Sequence, residues 1–141
     1  MTALAWRARR RPGAWSRVQL VSGLYPGFFL LAHVSAILFI RHGLALDTNF
    51  HAAAMVLTVG FLPWIYAPYY ALGELAVFAH LARALRVRLR GAARARVPGA
   101  VMVVGAFVAF AIVGGHAGLF HAIELPDAYR TAAQTFAGLD G

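Results

Sequence analysis

The sequence predicts an all-α integral membrane bundle with three transmembrane helices and an outer interfacial helix. Of its 141 residues, 61% are hydrophobic, and the mean hydropathy is +0.68, which is too apolar for a soluble domain of this size. All 13 basic residues are arginines, and most of them lie in two clusters that alternate with the apolar segments. We expect residues 1–141 to form a single membrane domain.

The first transmembrane helix is predicted over about residues 18–40, a run without any charged residue. A helix needs about 20 predominantly apolar residues to cross a bilayer. Pro26 should kink this helix, and Gly23 and Gly27 form a small-residue pair at which another helix can approach closely. The run is longer than the apolar core of a signal peptide and two further membrane segments follow, so we expect it to be retained.

The apolar stretch over residues 50–85 is longer than one crossing requires. We therefore predict an interfacial helix over about residues 50–62 and a second transmembrane helix over about residues 69–88, with Pro63 and Pro68 between them. The aromatic residues near this boundary are expected to form a belt at the outer membrane surface: Trp64, Tyr66, Tyr69 and Tyr70.

The third transmembrane helix is predicted over about residues 99–120, with Pro98 in its first turn. A short loop over residues 91–97 should precede it. Pro126 argues against a continuous helix in the tail, although residues 128–137 could form a short amphipathic one.

The arginine clusters predict the orientation in the membrane. They precede the first helix and lie between the second and third, whereas four of the five acids lie in the other connections. By the positive-inside rule, the N-terminus is cytoplasmic and the C-terminus lies outside the inner (cytoplasmic) membrane. The net charge of +8 therefore indicates contact with lipid headgroups or a soluble partner protein, and no nucleic acid.

Several kinds of active site are excluded or not expected. The chain contains no cysteine, which excludes disulfides, thiolate metal sites and cysteine catalysis. It also lacks a hydrolase elbow, a phosphate-binding loop, a dinucleotide fingerprint and an H-E-x-x-H motif, so a soluble-type enzyme site is not expected.

Three ionisable residues at membrane depth are candidates for function, because such residues are costly there and usually face a partner, a cavity or a cofactor. His33 either hydrogen-bonds a neighbouring helix or is an axial haem ligand that binds the iron. His80 is either an interfacial histidine beside arginines or a second iron ligand. Glu74 is either a hydrogen-bonded structural acid or a group for proton uptake and quinone contact.

Haem ligation by these histidines is constrained by depth. The helical rise places His33 and His80 at depths that differ by roughly 10–20 Å, so they should not ligate one haem together. His33 would then pair with His116 or with a histidine of another chain. Arg83 and Arg86 are either snorkelling anchors or partners of haem propionates.

An outer metal site is a further alternative. Four histidines lie outside or near the outer boundary and could hold zinc or copper: His42, His51, His116 and His121.

The segment Val18-Gln-Leu-Val-Ser-Gly-Leu-Tyr-Pro-Gly-Phe-Phe-Leu-Leu-Ala-His33 resembles the first helix of the cytochrome b membrane anchors of succinate dehydrogenase and fumarate reductase (complex II). In that family a small Ser/Thr-Gly pair precedes a haem-ligating histidine by about three turns. His80 followed by Arg86 is similar to the second helix of the family. The resemblance implies bound haem b and quinone, with Ser22 and Glu74 as the expected quinone contacts.

The resemblance also implies the partners. We expect a non-catalytic anchor subunit that carries electrons between an iron–sulfur subunit and quinone, beside a flavoprotein subunit and with a second anchor subunit or a homodimer partner. The alternatives are a haem-free anchor or assembly subunit of a respiratory complex, and a small membrane protein with the outer histidine metal site.

Overall fold

The computed structural model describes the backbone of residues 14–139 and the side chains of residues 23–139, and this part of the chain is helical throughout apart from its connections. The arginine-rich segment predicted to lie on the cytoplasmic surface falls mostly outside the described residues. The helices, in chain order, are α1 (Ala14–Leu38) with a π-helical turn (Phe39–Gly43), α2 (Phe50–Thr58), α3 (Leu62–Arg88), α4 (Gly91–His116) and α5 (Asp127–Phe136).

Helix α3 is the centre of the bundle. It packs against α1 on one side and against α4 on the other, while α2 contacts both α3 and α4 at one end. Helix α5 packs on α2. We call this the α2 end of the bundle, and we call the opposite end, where α3 is joined to α4, the arginine end.

Two tyrosines join α1 to α3, which run antiparallel. The Tyr25 hydroxyl donates a hydrogen bond to the Tyr69 carbonyl oxygen (3.3 Å), and the Tyr69 hydroxyl donates one to the Phe29 carbonyl oxygen (3.2 Å). A Cβ at Gly73 would lie 2.6 Å from the Phe29 ring. Glycine at this position therefore lets the aromatic ring lie directly against the α3 backbone.

A second glycine sets the distance between α3 and α4. A Cβ at Gly105 would lie 2.5 Å from Cβ and Cγ of Phe78, closer than van der Waals contact allows. This small-residue contact lies in the middle of α4.

The buried core lies at the α2 end. Side chains of α2 and α5 form one hydrophobic cluster, which contains the fully buried Met55 and the nearly buried Tyr129. The Tyr129 hydroxyl donates a hydrogen bond to the Asp47 carbonyl oxygen (2.8 Å). The Asn49 side chain accepts one from the His51 amide and so caps α2. The C-terminal helix thus fixes the loop before α2 as well as α2 itself.

Two of the described helical segments are long and apolar enough to cross a membrane: Gly23–Gly43 and Gly91–His116. In Gly23–Gly43, none of the most apolar 18-residue stretch is buried within the protein, as expected for a helix that faces lipid. Helix α3 has the length, at 27 residues, but its prolines, tyrosines and arginines make it less apolar.

Several predicted helix boundaries differ from the structure. Helix α3 begins at Leu62 rather than Tyr69 and continues through Pro68. Pro63 lies in the first turn, where no amide donor is needed, and Pro68 costs one backbone hydrogen bond that packing against α1 offsets. Helix α2 ends at Thr58, earlier than residue 62.

The loop predicted over residues 91–97 is helical instead. Helix α4 begins at Gly91, directly after α3, and contains Pro98 in its interior. It ends at His116, so residues 117–120 are not part of it. The short helix anticipated in the tail is present as α5, directly after Pro126, and its polar face is exposed while Tyr129 and Ala133 are buried.

The predicted aromatic belt is divided in the structure. Trp64 is 85% exposed, which suits a membrane boundary. Tyr69 instead stacks on Phe29 between α1 and α3, and Tyr70 makes edge contacts with both rings. Because α3 begins at Leu62, before the predicted start at Tyr69, these tyrosines lie between the paired helices α1 and α3 rather than in a segment that precedes α3.

Candidate functional site

A cavity of about 210 Å³ lies between α1, α3 and α4 and beneath α2. Its walls include four side chains with titratable groups: His33, Tyr70, Glu74 and His116. The remaining lining residues are apolar. The structure therefore places His33 and His116, which the sequence analysis considered as a pair, in the wall of one cavity, and it adds Glu74 and Tyr70.

His33 projects from α1 against aromatic neighbours. Its imidazole stacks on the Phe29 ring, with ring centroids 5.4 Å apart, and meets the edge of Tyr70 at 6.1 Å. The ring is half-buried. These two contacts fix the plane of the imidazole, so that it forms part of the cavity wall.

Glu74 and Tyr70 reach the cavity from α3. They are four residues apart, which places them on one face of the helix. Both are half-buried. This spacing was visible in the sequence, and it could have identified Tyr70 as a site residue if the tyrosines had not been assigned to the membrane boundary.

His116 closes the cavity at the end of α4. Its Nδ1 lies 2.8 Å from the Ile112 carbonyl oxygen. A carbonyl can only accept, so Nδ1 carries the proton and donates it. The ring stacks on Phe50 with centroids 4.7 Å apart. This arrangement fixes the tautomer and leaves Nε2 as the nitrogen that can accept a hydrogen bond or bind a metal.

His80 lies at a different place on the α1–α3 seam. A Cβ added at Gly23 would lie 3.9 Å from its ring atoms Cε1 and Nδ1. Gly23, Pro26 and His80, with three apolar α3 residues, line a groove of about 440 Å³. The groove is open to the surface, because Val77 and Leu81 in its wall are about half exposed.

The contacts separate the two histidines along the bundle. His33 is level with Tyr70, and Gly23 is level with His80. From Tyr70 to His80 the α3 helix rises about 15 Å. This separation agrees with the depth difference predicted from the sequence, and it keeps the two imidazoles in different cavities.

The arginines proposed as propionate partners lie toward the arginine end. Arg83 is one turn beyond His80 and half-buried. Arg86 donates a hydrogen bond from Nη1 to the Arg94 carbonyl oxygen at 3.4 Å. Arg86 therefore joins the end of α3 to the start of α4, and its role toward a propionate stays a prediction.

The Ser22 side chain, proposed as a quinone contact, lies outside the described side chains. Of the outer histidines, three surround Phe50, with ring centroids within 6 Å of it: His51, His116 and His121. Within the described residues, no group of three or more histidine, aspartate or glutamate side chains is placed to hold a metal ion.

The two cavities differ in what they can hold. Pockets for drug-sized ligands usually measure about 300–1,000 Å³. The groove at His80, at about 440 Å³, is within this range, and its walls are apolar apart from His80. The cavity at His33, at about 210 Å³, is below it and does not fit a haem in this conformation, although a single-ring headgroup is smaller. Ligation of haem by His33 and His116 stays a prediction that requires the cavity to widen.

No protein-family model, curated protein or solved structure matches this chain.

Proposed function

We propose that this chain is a membrane-anchor subunit that binds haem b and contacts quinone in a complex II-like respiratory oxidoreductase. The observation that carries the proposal is the gathering of His33, Tyr70, Glu74 and His116 around one cavity in an otherwise apolar bundle. Ionisable groups within a membrane are costly and are placed where a substrate or proton is handled. The resemblance of residues 18–33 to the complex II anchors supports this class of protein, although it implies that His33 binds haem whereas the proposal assigns His33 to quinone.

The cavity at His33 is assigned to the quinone headgroup. Reduction of a quinone to a quinol requires two electrons and two protons. Tyr70 and the His33 imidazole can donate hydrogen bonds to the quinone carbonyl oxygens. The Nε2 atom of His116 can accept one from a quinol hydroxyl, and Glu74 supplies a carboxyl group that can take up and give protons. The apolar walls at Phe29, Leu57 and Val113 would enclose the ring.

The groove at His80 is assigned to haem b. A bound haem would supply one-electron transfer between an iron–sulfur centre and quinone. His80 would hold the iron from α3, while the small residues at the groove let the ring approach the helix backbones. Arg83, one turn further on, is the residue that we propose for a propionate. Because the groove is open, a further residue that holds the haem would come from another chain, either a second anchor subunit or a second copy.

The topology that we propose has three crossings, formed by α1, α3 and α4, with α2 and α5 at the outer surface. The arginine end is then cytoplasmic and the α2 end outside the inner membrane. A cysteine substituted for exposed Asp47 should react with a membrane-impermeant thiol reagent on right-side-out vesicles. A cysteine substituted for Arg90 should react only after the membrane is opened. The reverse labelling would contradict this orientation.

The test of the function is the visible absorption spectrum of the purified protein, expressed with any soluble subunits that co-purify with it. We expect the absorption bands of haem b, and we expect quinol to reduce the haem. Protein that is folded and assembled with its partners but lacks these bands would support the alternative of a haem-free anchor or assembly subunit. If the proposed partners are correct, a flavoprotein should co-purify with this chain.

A further inference from the structure

A second cavity, of about 140 Å³, lies beside the first at the α2 end. Its walls include Thr48 and Asn49, the polar residues directly before α2. The two cavities share three wall residues: His33, Ala53 and Tyr70. The His33 and Tyr70 rings, 6.1 Å apart, thus stand between a cavity with a polar entrance and a cavity that contains Glu74.

The groups that face His33 differ between the two cavities. Helix α3 contributes Tyr70 and Glu74, and α4 contributes His116, all on the larger cavity. Helix α2 contributes only Ala53 and Leu57 to that cavity and no charged residue. Toward the smaller cavity, the loop before α2 contributes the uncharged polar groups of Thr48 and Asn49.

We infer that Glu74 exchanges protons with the aqueous phase at the α2 end of the bundle, by way of the smaller cavity and the His33 imidazole. An imidazole accepts a proton on one ring nitrogen and releases one from the other, so the ring can transfer a proton between cavities without leaving its place. After the transfer the ring is in the other tautomer, and its return to the first tautomer prepares it for the next proton. This route does not depend on haem or quinone, and it makes the loop before α2 the entrance for protons.

The first measurement is aqueous access, and the absence of native cysteine makes it direct. Ala53→Cys places a thiol in the shared wall, whereas Val34→Cys places one on the outward, 45% exposed face of α1 at similar depth. Apolar surroundings raise the pKa of a thiol and each unit lowers its thiolate fraction about tenfold. We expect a charged, membrane-impermeant thiol reagent to modify Ala53→Cys at least about tenfold faster than Val34→Cys.

The side of the membrane from which the reagent reaches Ala53→Cys is determined by comparison with two markers, Asp47→Cys and Arg90→Cys. Ala53→Cys should be modified from the side on which Asp47→Cys is modified. Modification only from the side of Arg90→Cys, or a rate equal to that of Val34→Cys, would overturn the route. The comparison with these markers does not depend on the orientation of the protein in its membrane.

The second measurement tests whether His33 transfers the proton. The infrared carboxyl band of protonated Glu74, identified by its loss in Glu74→Gln, should shift when the protein is moved into D₂O at acidic pH. His33→Leu fills the same space without a titratable group and should slow this exchange about 100-fold. Ser35→Leu, on an exposed α1 position, is the matched control. Unchanged exchange in His33→Leu would overturn the role of His33, whatever the outcome for haem or quinone.

Discussion

His80→Ala should remove the haem b absorption of the purified protein, whereas His33→Ala should retain it. The reason is the division of the two histidines between cavities about 15 Å apart along α3. Of these two cavities of the described residues, the groove at His80 is the larger, and an alanine in place of His80 leaves no nitrogen to bind the iron. The measurement is the ratio of haem absorption to protein absorption for each variant.

The controls for this pair are His42→Ala, which changes an exposed histidine, and a helical circular dichroism spectrum for each variant. Retention of haem in His80→Ala with loss in both His33→Ala and His116→Ala would place the haem in the other cavity. Loss of the same single haem in His33→Ala and His80→Ala, with the fold intact, would contradict the separation of the two sites.

Much of the bundle could be predicted from the sequence because a helix that is long and apolar enough to cross a membrane has a simple composition. The uncharged run in α1 and the apolar length of α4 identify these helices without any knowledge of their partners. Helix α3 was harder to predict, since Pro63 and Pro68 indicate a break when read locally. In the structure the packing of α3 against α1 and α4 overrides that signal, and the helix continues.

The site could be predicted only in part. His33, Glu74 and His116 were identifiable one by one, because an ionisable residue in an apolar segment is conspicuous. Their meeting around one cavity depends on how α2 lies across the end of the bundle, which local patterns do not contain. Gly23 and Gly27 were expected to let another helix approach closely. A Cβ at Gly23 would lie 3.9 Å from the His80 ring of α3, whereas a Cβ at Gly27 would meet nothing within 4 Å.

Glu74→Gln should lower the rate of quinone reduction by the assembled complex by about 100-fold, the contribution typical of a positioned proton-transfer group. Glutamine keeps the shape and much of the hydrogen bonding of the side chain but cannot take up or release a proton. Since Glu74 lies in the wall of the proposed quinone cavity beside Tyr70, the loss should fall on turnover more than on assembly. The measurement is quinone reduction at saturating quinone, with haem content determined on the same sample.

Glu124→Gln is the matched control, because it makes the same chemical change at an exposed acid beyond the end of α4. It should leave turnover unchanged, which separates proton transfer at Glu74 from a general effect of removing negative charge. Haem content should be equal in both variants, since Glu74 does not line the groove at His80. If Glu74→Gln turns over quinone at the rate of the unmodified protein, Glu74 is a structural acid and the cavity at His33 is not where quinone is protonated.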